Sequence, residues 1–484
     1  MEPCSDETAH KVKILVANLG STSLKWRLFE FSNWREAVLH KGGFERVADY
    51  AKAIEDCLRQ LKDGGHIETA TDLAAVGFKT IMARGINGCV RLDERVLQAM
   101  EICNPIAPAH NPPYIIGIRL FAQVMPTVPL VGLFETAFYQ WAPPEAMRYA
   151  VPEAWHDLGV RRWGFHGASH KFIAERSAQM LARDDVAQRA RQLYVDGPLP
   201  LAPSPSNGEG ERGRGPVGKP DLRVISCHLG GSSSITGILN GVAIGNSMGL
   251  SPQSGLPHNN RVGDLDSFAL PFLMRSAGVT LEEAEKLLCK ESGLKALSGG
   301  YNDLRDIEAQ AAQGHARAKL AFDVLAHQAR HWIGAFFLQL NGADALVFTA
   351  GIGENRAALR QAVCRNLDQL GMLLDPEKND ATRGIEAVIS APKSRVKIMV
   401  IPANEELVVA REVKRFLESQ SATEAAHASR ATAHGQGSIP RARDNRQHPH
   451  PGPLPSDGRG KRITNYQSPI IDQPNYVSSS YWTH

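Results

Sequence analysis

From Lys13 the apolar and polar positions read strand, turn, strand: KILVAN, then LGSTS, then LKWRLFEF, whose second part alternates apolar with polar. A helix is predicted around 49–62 and another strand around 73–78. The clearest helix spans about 316–340. There Leu325, Ala329, Trp332, Ile333, Phe336, Phe337 and Leu340 recur at three- and four-residue steps as one buried stripe, and Asn341-Gly342 closes it. A short strand over 345–348 leads into the turn Gly351-Ile352-Gly353-Glu354-Asn355, with a helix expected from about Arg356. Alternating strands and helices predict a mixed α/β architecture.

Two stretches break this pattern. Residues 197–218 (GPLPLAPSPSNGEGERGRGPVG) and the tail 419–484, which contains HPHPGPLPSDGRGKR, share a GPLP, Ser and Gly-Arg flavour, as though one element had been inserted twice. Both are expected to be disordered, as is the polar segment 1–10, because they cannot bury enough apolar surface to offset ordering entropy.

Composition narrows the function. At 484 residues and 43% hydrophobic, the chain can fill two or three domains. A formal charge of +3 is too balanced to imply a nucleic-acid partner. The 7 cysteines are scattered and show no CxxC spacing, as in a reduced, cytoplasmic protein without a disulfide framework or zinc site. The N-terminus has neither a basic nor an apolar signal region. The most apolar stretch, 114–138, is interrupted by Arg119, Gln123, prolines and glycines, so no membrane span is expected.

Three Gly/Ser turns follow apolar strands: Asn18-Leu19-Gly20-Ser21-Thr22-Ser23-Leu24-Lys25, His228-Leu229-Gly230-Gly231-Ser232-Ser233-Ser234, and the Gly351–Asn355 turn. A strand feeding such a turn into a helix aims free N–H groups at one point and suits a phosphate. An ordinary tight turn accounts for each one singly. No Walker A pattern is present. Several such turns at strand ends suggest instead that ATP is gripped in a cleft, as in actin, hexokinase and Hsp70.

The ordered motifs ANLGSTSLK, APAHNPPYIIGI, LFETAFYQ, RRWGFHGASHKF, CHLGGSSS, NSMGLSPQSGLPHNNRVGDLD, SGGYNDLRD, VFTAGIGEN and IPANEEL resemble those of the acetate kinase family from Lys13 to about Phe416. The resemblance implies a two-lobed actin-like fold of duplicated sheet-plus-helix domains, with ATP in the interlobe cleft. One lobe would take 11–152 plus a returning helix near 403–418. The other would take 153–402, with 197–218 looping out. It further implies a homodimer and reversible transfer of phosphate from ATP to acetate.

The roles it implies fit the chemistry. A carboxylate is already ionised at pH 7, so its attack on the γ-phosphate needs charge neutralisation and positioning rather than a general base. Arg261 would contact the transferring phosphoryl group, with His166 and His110 donating hydrogen bonds to it. Asn18 and Glu405 would hold Mg²⁺, with Mn²⁺ an alternative. Lys25 would lie near the ATP phosphates. His228, Leu229, Gly230, Gly231 and Ser232, with Gly351, Ile352, Gly353, Glu354 and Asn355, would line them. Asp303 and Arg305 would bracket the adenosine. Taken alone, each histidine is more often structural; the motif context reverses that.

The acid side departs from the family pattern. The family's G-H-R-V-V-H-G-G corresponds to Gly77-Phe78-Lys79-Thr80-Ile81-Met82-Ala83-Arg84-Gly85, so the substrate's carboxylate would meet Lys79 or Arg84. Lysine lacks arginine's bidentate grip. The family's catalytic aspartate is Glu135 here. Two readings follow: an altered short acid such as propionate or butyrate, or nucleotide binding with weakened catalysis.

Overall fold

The computed structural model describes residues 11–20, 22–32, 35–196 and 220–434. The disorder expected for 1–10, 197–218 and, within the tail 419–484, residues from 435 on concerns residues outside these. Twelve strands form two sheets among the described residues. The first contains β1 (Val12–Leu19), β2 (Ser23–Ser32), β3 (Arg35–Glu45), β4 (Ala75–Thr80), β5 (Cys89–Arg91) and β6 (Leu130–Phe134), in the order β3-β2-β1-β4-β6-β5. The second contains β7 (Arg223–Leu229), β8 (Ser233–Leu239), β9 (Val242–Asn246), β10 (Ala345–Thr349), β11 (Ala387–Val388) and β12 (Lys397–Val400), in the order β11-β12-β10-β7-β8-β9.

The two sheets repeat one plan. In each, an antiparallel three-strand meander leads to a parallel trio, β1-β4-β6 or β7-β10-β12, and a short antiparallel strand closes the edge. Parallel strands covered on both faces read as continuous apolar runs, and LVGLF of β6 and ALVFT of β10 are buried at every position.

Helices cover the faces. Tyr50–Asp63 and Asn111–Val124 bury Ile54, Leu61, Ile118 and Phe121 against one face of the first sheet. Val408, Val409 and Val413 of the last helix cover its other face. That approach is close at Gly77, where a Cβ would lie 3.0 Å from Val413 and 3.1 Å from Val409. On the second sheet, Ala316–Gln339 packs on one side, and Gly167–Met180 with Asp184–Asp196 on the other.

The predicted helices and strands fall close to these elements, with two differences. The Gly351–Asn355 segment is itself helical, within Ala350–Asn355, and a second helix begins at Ala357. Fully buried Arg360 donates to the carbonyls of Gly353 (2.8 Å) and Glu354 (2.9 Å) and so closes that turn. The last helix, Glu405–His434, runs past 418 through residues 419–434, which the sequence reading expects to be disordered. Its continuation, SATEAAHASRATAH, is alanine-rich and holds no Gly or Pro before Gly435. No helix among the described residues is long and apolar enough to cross a membrane.

Candidate active site

Ligands of open α/β sheets gather beyond the carboxyl ends of the parallel strands. Here those ends supply Leu19 at the end of β1, Lys79 on β4 and Glu135 after β6. From the second sheet come Gly230 after β7, Gly351 after β10 and Glu405 after β12. All six line one cleft of about 400 Å³, together with His110, Tyr114, His166 and His228.

One wall is charged. Lys79 Nζ lies 3.2 Å from Glu135 Oε1 and 2.5 Å from Glu405 Oε2. Burial pulls the Lys79 pKa down, but the two carboxylates outweigh it and leave it raised. Burial pushes the Glu135 carboxyl up to about 7, against the opposing pull of Lys79. Burial also acts upward on Glu405, yet Lys79 and His228 bring it below its ordinary value. Among the described residues, Glu135 Oε2, Glu405 Oε1, Asn18 Oδ1 and His110 Nδ1 are buried without a partner. Asn18 Nδ2 donates to Glu406 Oε1 at 2.9 Å. His110 caps the helix Asn111–Val124, and burial, then Arg261 and Lys79, lower it to about 4.

The other wall is built of histidines. His166 precedes the helix Gly167–Met180 in a left-handed conformation, φ 58°. Gly167 allows this placement, since a Cβ there would sit 2.2 Å from the Glu135 carbonyl oxygen. The His166 and His228 rings stack with centroids 4.0 Å apart. His166 Nδ1 lies 2.8 Å from Ser234 Oγ, and His228 Nδ1 lies 2.8 Å from Ser169 Oγ. Burial lowers His228 to about 4, against the pull of Glu405. Arg261 is buried, donates from Nη1 to the carbonyl of Pro252 (2.8 Å), and its pKa is lowered to about 10 by burial. Pro252 itself lines the cleft.

A second cavity of about 390 Å³ shares Gly230, Gly231 and Gly351 with the first and is lined further out by Asn259, Asp303, Arg305, Ile352 and Asn355. Asp303 and Arg305 are joined by a 2.6 Å ion pair at its rim. Nothing lies within 4 Å of a Cβ placed on Gly351, so the backbone there is open to a ligand. The two cavities together form a continuous trough.

Several expected residues lie elsewhere. Lys25 projects from β2 into an exposed ion pair with Glu45 (2.8 Å) and lines neither cavity. Arg84 is exposed beyond β4, so Lys79 is the cation in the cleft. Leu229 is core, Gly353 packs on Phe348, and Glu354 Oε1 accepts from Ala403 N at 2.9 Å. Ser232 lines the first cavity. Sequence reasoning missed Tyr114, Ser169 and Ser234. Tyr114 shares the buried helical phase of Ile115, Ile118 and Phe121, and that phase is the signal that could have found it.

A metal's fit can be tested on the donors. Mg²⁺ is usually held by one or two carboxylates plus phosphates and water. The unpartnered oxygens of Asn18 and Glu405 are hard donors of that kind, so the residues fit. The one described cluster of three metal-ligating side chains, Glu153, His156 and Asp157, lines neither cavity.

Comparison with known proteins gives a consistent picture. The model of the acetokinase family matches residues 40–190 and 214–411. The acetate kinase of Carboxydothermus hydrogenoformans is 37% identical over 428 residues, 83% of this chain and 98% of that one. The acetate kinase of Methanosarcina thermophila is 36% identical over 438 residues, 84% and 98% of the two chains. Among solved structures, an acetate kinase from Porphyromonas gingivalis superposes with a TM-score of 0.69 at 31% identity, covering 84% and 100%. A propionate kinase from Francisella tularensis does so with 0.68 at 30%, covering 83% and 98%.

Proposed function

This chain belongs to the acetokinase family, and from that premise we propose that it passes the γ-phosphoryl group of ATP reversibly to a short carboxylic acid, acetate first among them. It is a phosphotransferase with a carboxyl group as acceptor, on the two-lobed actin-like fold. The observation that carries the finer reading is the convergence of Lys79, His110, Glu135, His166, His228 and Glu405 on one cleft that continues into a glycine-lined trough.

In the forward direction a carboxylate oxygen attacks the γ-phosphorus in line. The bond to the bridging oxygen breaks, and ADP leaves with that electron pair. The acid's carboxylate lies at Lys79. His110 and His166 face the charge that spreads over the transferring oxygens, and Arg261, bonded to the cleft-lining Pro252, adds positive charge beside them, in a setting where burial strengthens each interaction. Lys79 also offsets part of the charge of Glu135 and Glu405, and burial raises the Glu135 carboxyl toward its neutral form, which eases their place beside an anionic substrate. Asn18 and Glu405 would hold Mg²⁺, which would neutralise phosphate charge. The nucleotide extends along Gly230, Gly231 and Gly351 toward Asp303 and Arg305.

The companion reading, propionate as the better acid, is favoured by the near-equal likeness to the propionate kinase structure. Part of the same proposal are lobes of 11–152 with 403–418 and of 153–402, and a cytoplasmic place of action. Pairing with a second copy belongs to it too, through the exposed apolar face of Phe268 (77% exposed) and Phe272 (65%). The test is acid-dependent ADP release across the C1 to C5 acids, ranked by kcat/KM. Turnover led by acetate supports the reading, propionate in the lead moves it to the companion, and no acid-dependent turnover with ATP still bound removes it.

A further inference from the structure

The histidine wall is backed by a polar layer that phosphoryl transfer itself does not require. Residues directly opposite across an antiparallel pair, and those two apart on one strand, share a face. β7 and β8 pair His228 with Ser234 and Ser226 with Thr236, so Ser226, His228 and Ser234 face the same way. The helix Gly167–Met180 covers that face and brings down Ser169 and His170, one turn after His166. Ser169, His170, Ser226 and Ser234 are fully buried.

The contacts form a chain. Ser226 Oγ lies 2.8 Å from His170 Nδ1, His170 Nε2 lies 2.8 Å from Ser234 Oγ, and Ser234 Oγ lies 2.8 Å from His166 Nδ1. Burial and neighbouring histidines hold both imidazoles neutral, so each ring carries one proton. A hydroxyl also carries one. Ser234 has no described partner besides the two rings, so its own hydrogen must serve one of them, and counting donors then leaves two arrangements, in which every proton points toward His166 or every proton points away.

Ser226 decides between them. Its only described partner is His170 Nδ1, so accepting there would strand its own hydrogen in the core, at a cost of about 1–3 kcal/mol. Ser226 therefore donates to His170 Nδ1, His170 Nε2–H donates to Ser234, and Ser234 donates to His166 Nδ1. The proton of His166 is left on Nε2. Ser169, whose only described partner is His228 Nδ1, sets His228 the same way.

We propose that Ser234 is a positioning residue which, through the buried line Ser226–His170–Ser234, locks His166 as the Nε2–H tautomer and so as a hydrogen-bond donor to the cleft. This rests on the functional reading above for its purpose, but not for its test. Nitrogen-15 NMR of ring-labelled histidine at pH 7 reports the tautomer without turnover, with His166→Gln assigning the signal. The wild-type spectrum is expected to show His166 protonated on Nε2. Ser234→Ala should move it to a mixture of tautomers and lower kcat by about 10–100-fold, the size found when a metal-bound imidazole loses its orienting partner, with KM for ATP and acid little changed. Ser234→Thr, which keeps the hydroxyl, should restore the tautomer. Should Ser234→Ala fail to fold, Ser226→Ala, which does not touch His166, is expected to give the same spectral change. A wild-type His166 protonated on Nδ1, or a tautomer unmoved by both alanine variants, overturns the proposal. A locked tautomer in a chain with no acid-dependent turnover leaves the lock standing and removes the functional reading instead.

Discussion

The two sheets share strand order, direction and even a register shift in the outer hairpin, at Leu28/Phe29 and at Gly237/Ile238. The side chains at their cleft ends are unlike. β4 and the segment after β6 contribute an ammonium and a carboxylate, whereas the turns after β7 and β10 contribute mostly glycine and backbone. The walls differ in the same sense. Glu135, Glu405, Asn18 and His110 each keep a buried atom without a partner, while His166, His170 and His228 are each tied to a serine. A buried polar atom left unsatisfied costs about 1–3 kcal/mol. The contrast teaches that one wall is set before ligands arrive, while the other is completed by them.

The strongest way to break this comparison is Lys79→Met, which strands two buried carboxylates. Removing one partner of a buried ion pair costs about 3–5 kcal/mol, so the urea midpoint should drop sharply along with turnover. An unchanged midpoint would mean that Lys79 does not hold the charged wall together. Next, His166→Ala should lower kcat by roughly 10²–10³-fold with a modest change in stability, as for loss of one preorganised donor. Steady-state kinetics beside a denaturation curve checks this.

A smaller effect concerns pH. Folding lowers His110 and His228 to about 4 from an ordinary 6.5. Between those values the unfolded chain binds protons that the folded chain refuses, so stability is full above 6.5 and falls as pH drops toward 4. Each histidine contributes a slope of up to about 1.4 kcal/mol per pH unit. His228→Gln should flatten the slope of unfolding free energy against pH, and an unaltered slope would show that His228 is charged in the fold. The smallest expected effects are those of Lys25→Met and Arg84→Ala. Both residues stand outside the cleft, so stability should stay within about 0.5 kcal/mol and KM for ATP and acid should barely move. A tenfold rise in either KM would return that residue to the site.

Much of this molecule is legible in its sequence because local periodicity and turn chemistry agree with the final fold. Asp49 caps the helix predicted at 49–62, and Leu325, Ala329, Ile333 and Phe336 are buried as their spacing requires. Trp332 and Phe337 are only half-buried, since the stripe is wider than the contact it serves. Lys79 and Arg84 are inseparable by spacing, and only the pairing of β4 with β6, which sets Lys79 beside Leu133 ahead of Glu135, separates them. Lys25 sits in a phosphate-like motif, yet its place on β2 opposite Gly43 leaves its side chain to Glu45. Ser169 and Ser234 lie inside quoted motifs, but their partnership with histidines depends on strand register and helix docking, which no single segment encodes.

The central claim is that a short acid meets Lys79 while the histidine wall faces the phosphoryl group it receives. The most direct measurement is a crystal structure with ADP and a short carboxylate bound. The account predicts the acid's carboxylate within hydrogen-bond distance of Lys79 Nζ and the ADP β-phosphate along Gly230, Gly231 and Gly351. A carboxylate held at Arg84, or a nucleotide seated outside the trough, would contradict it.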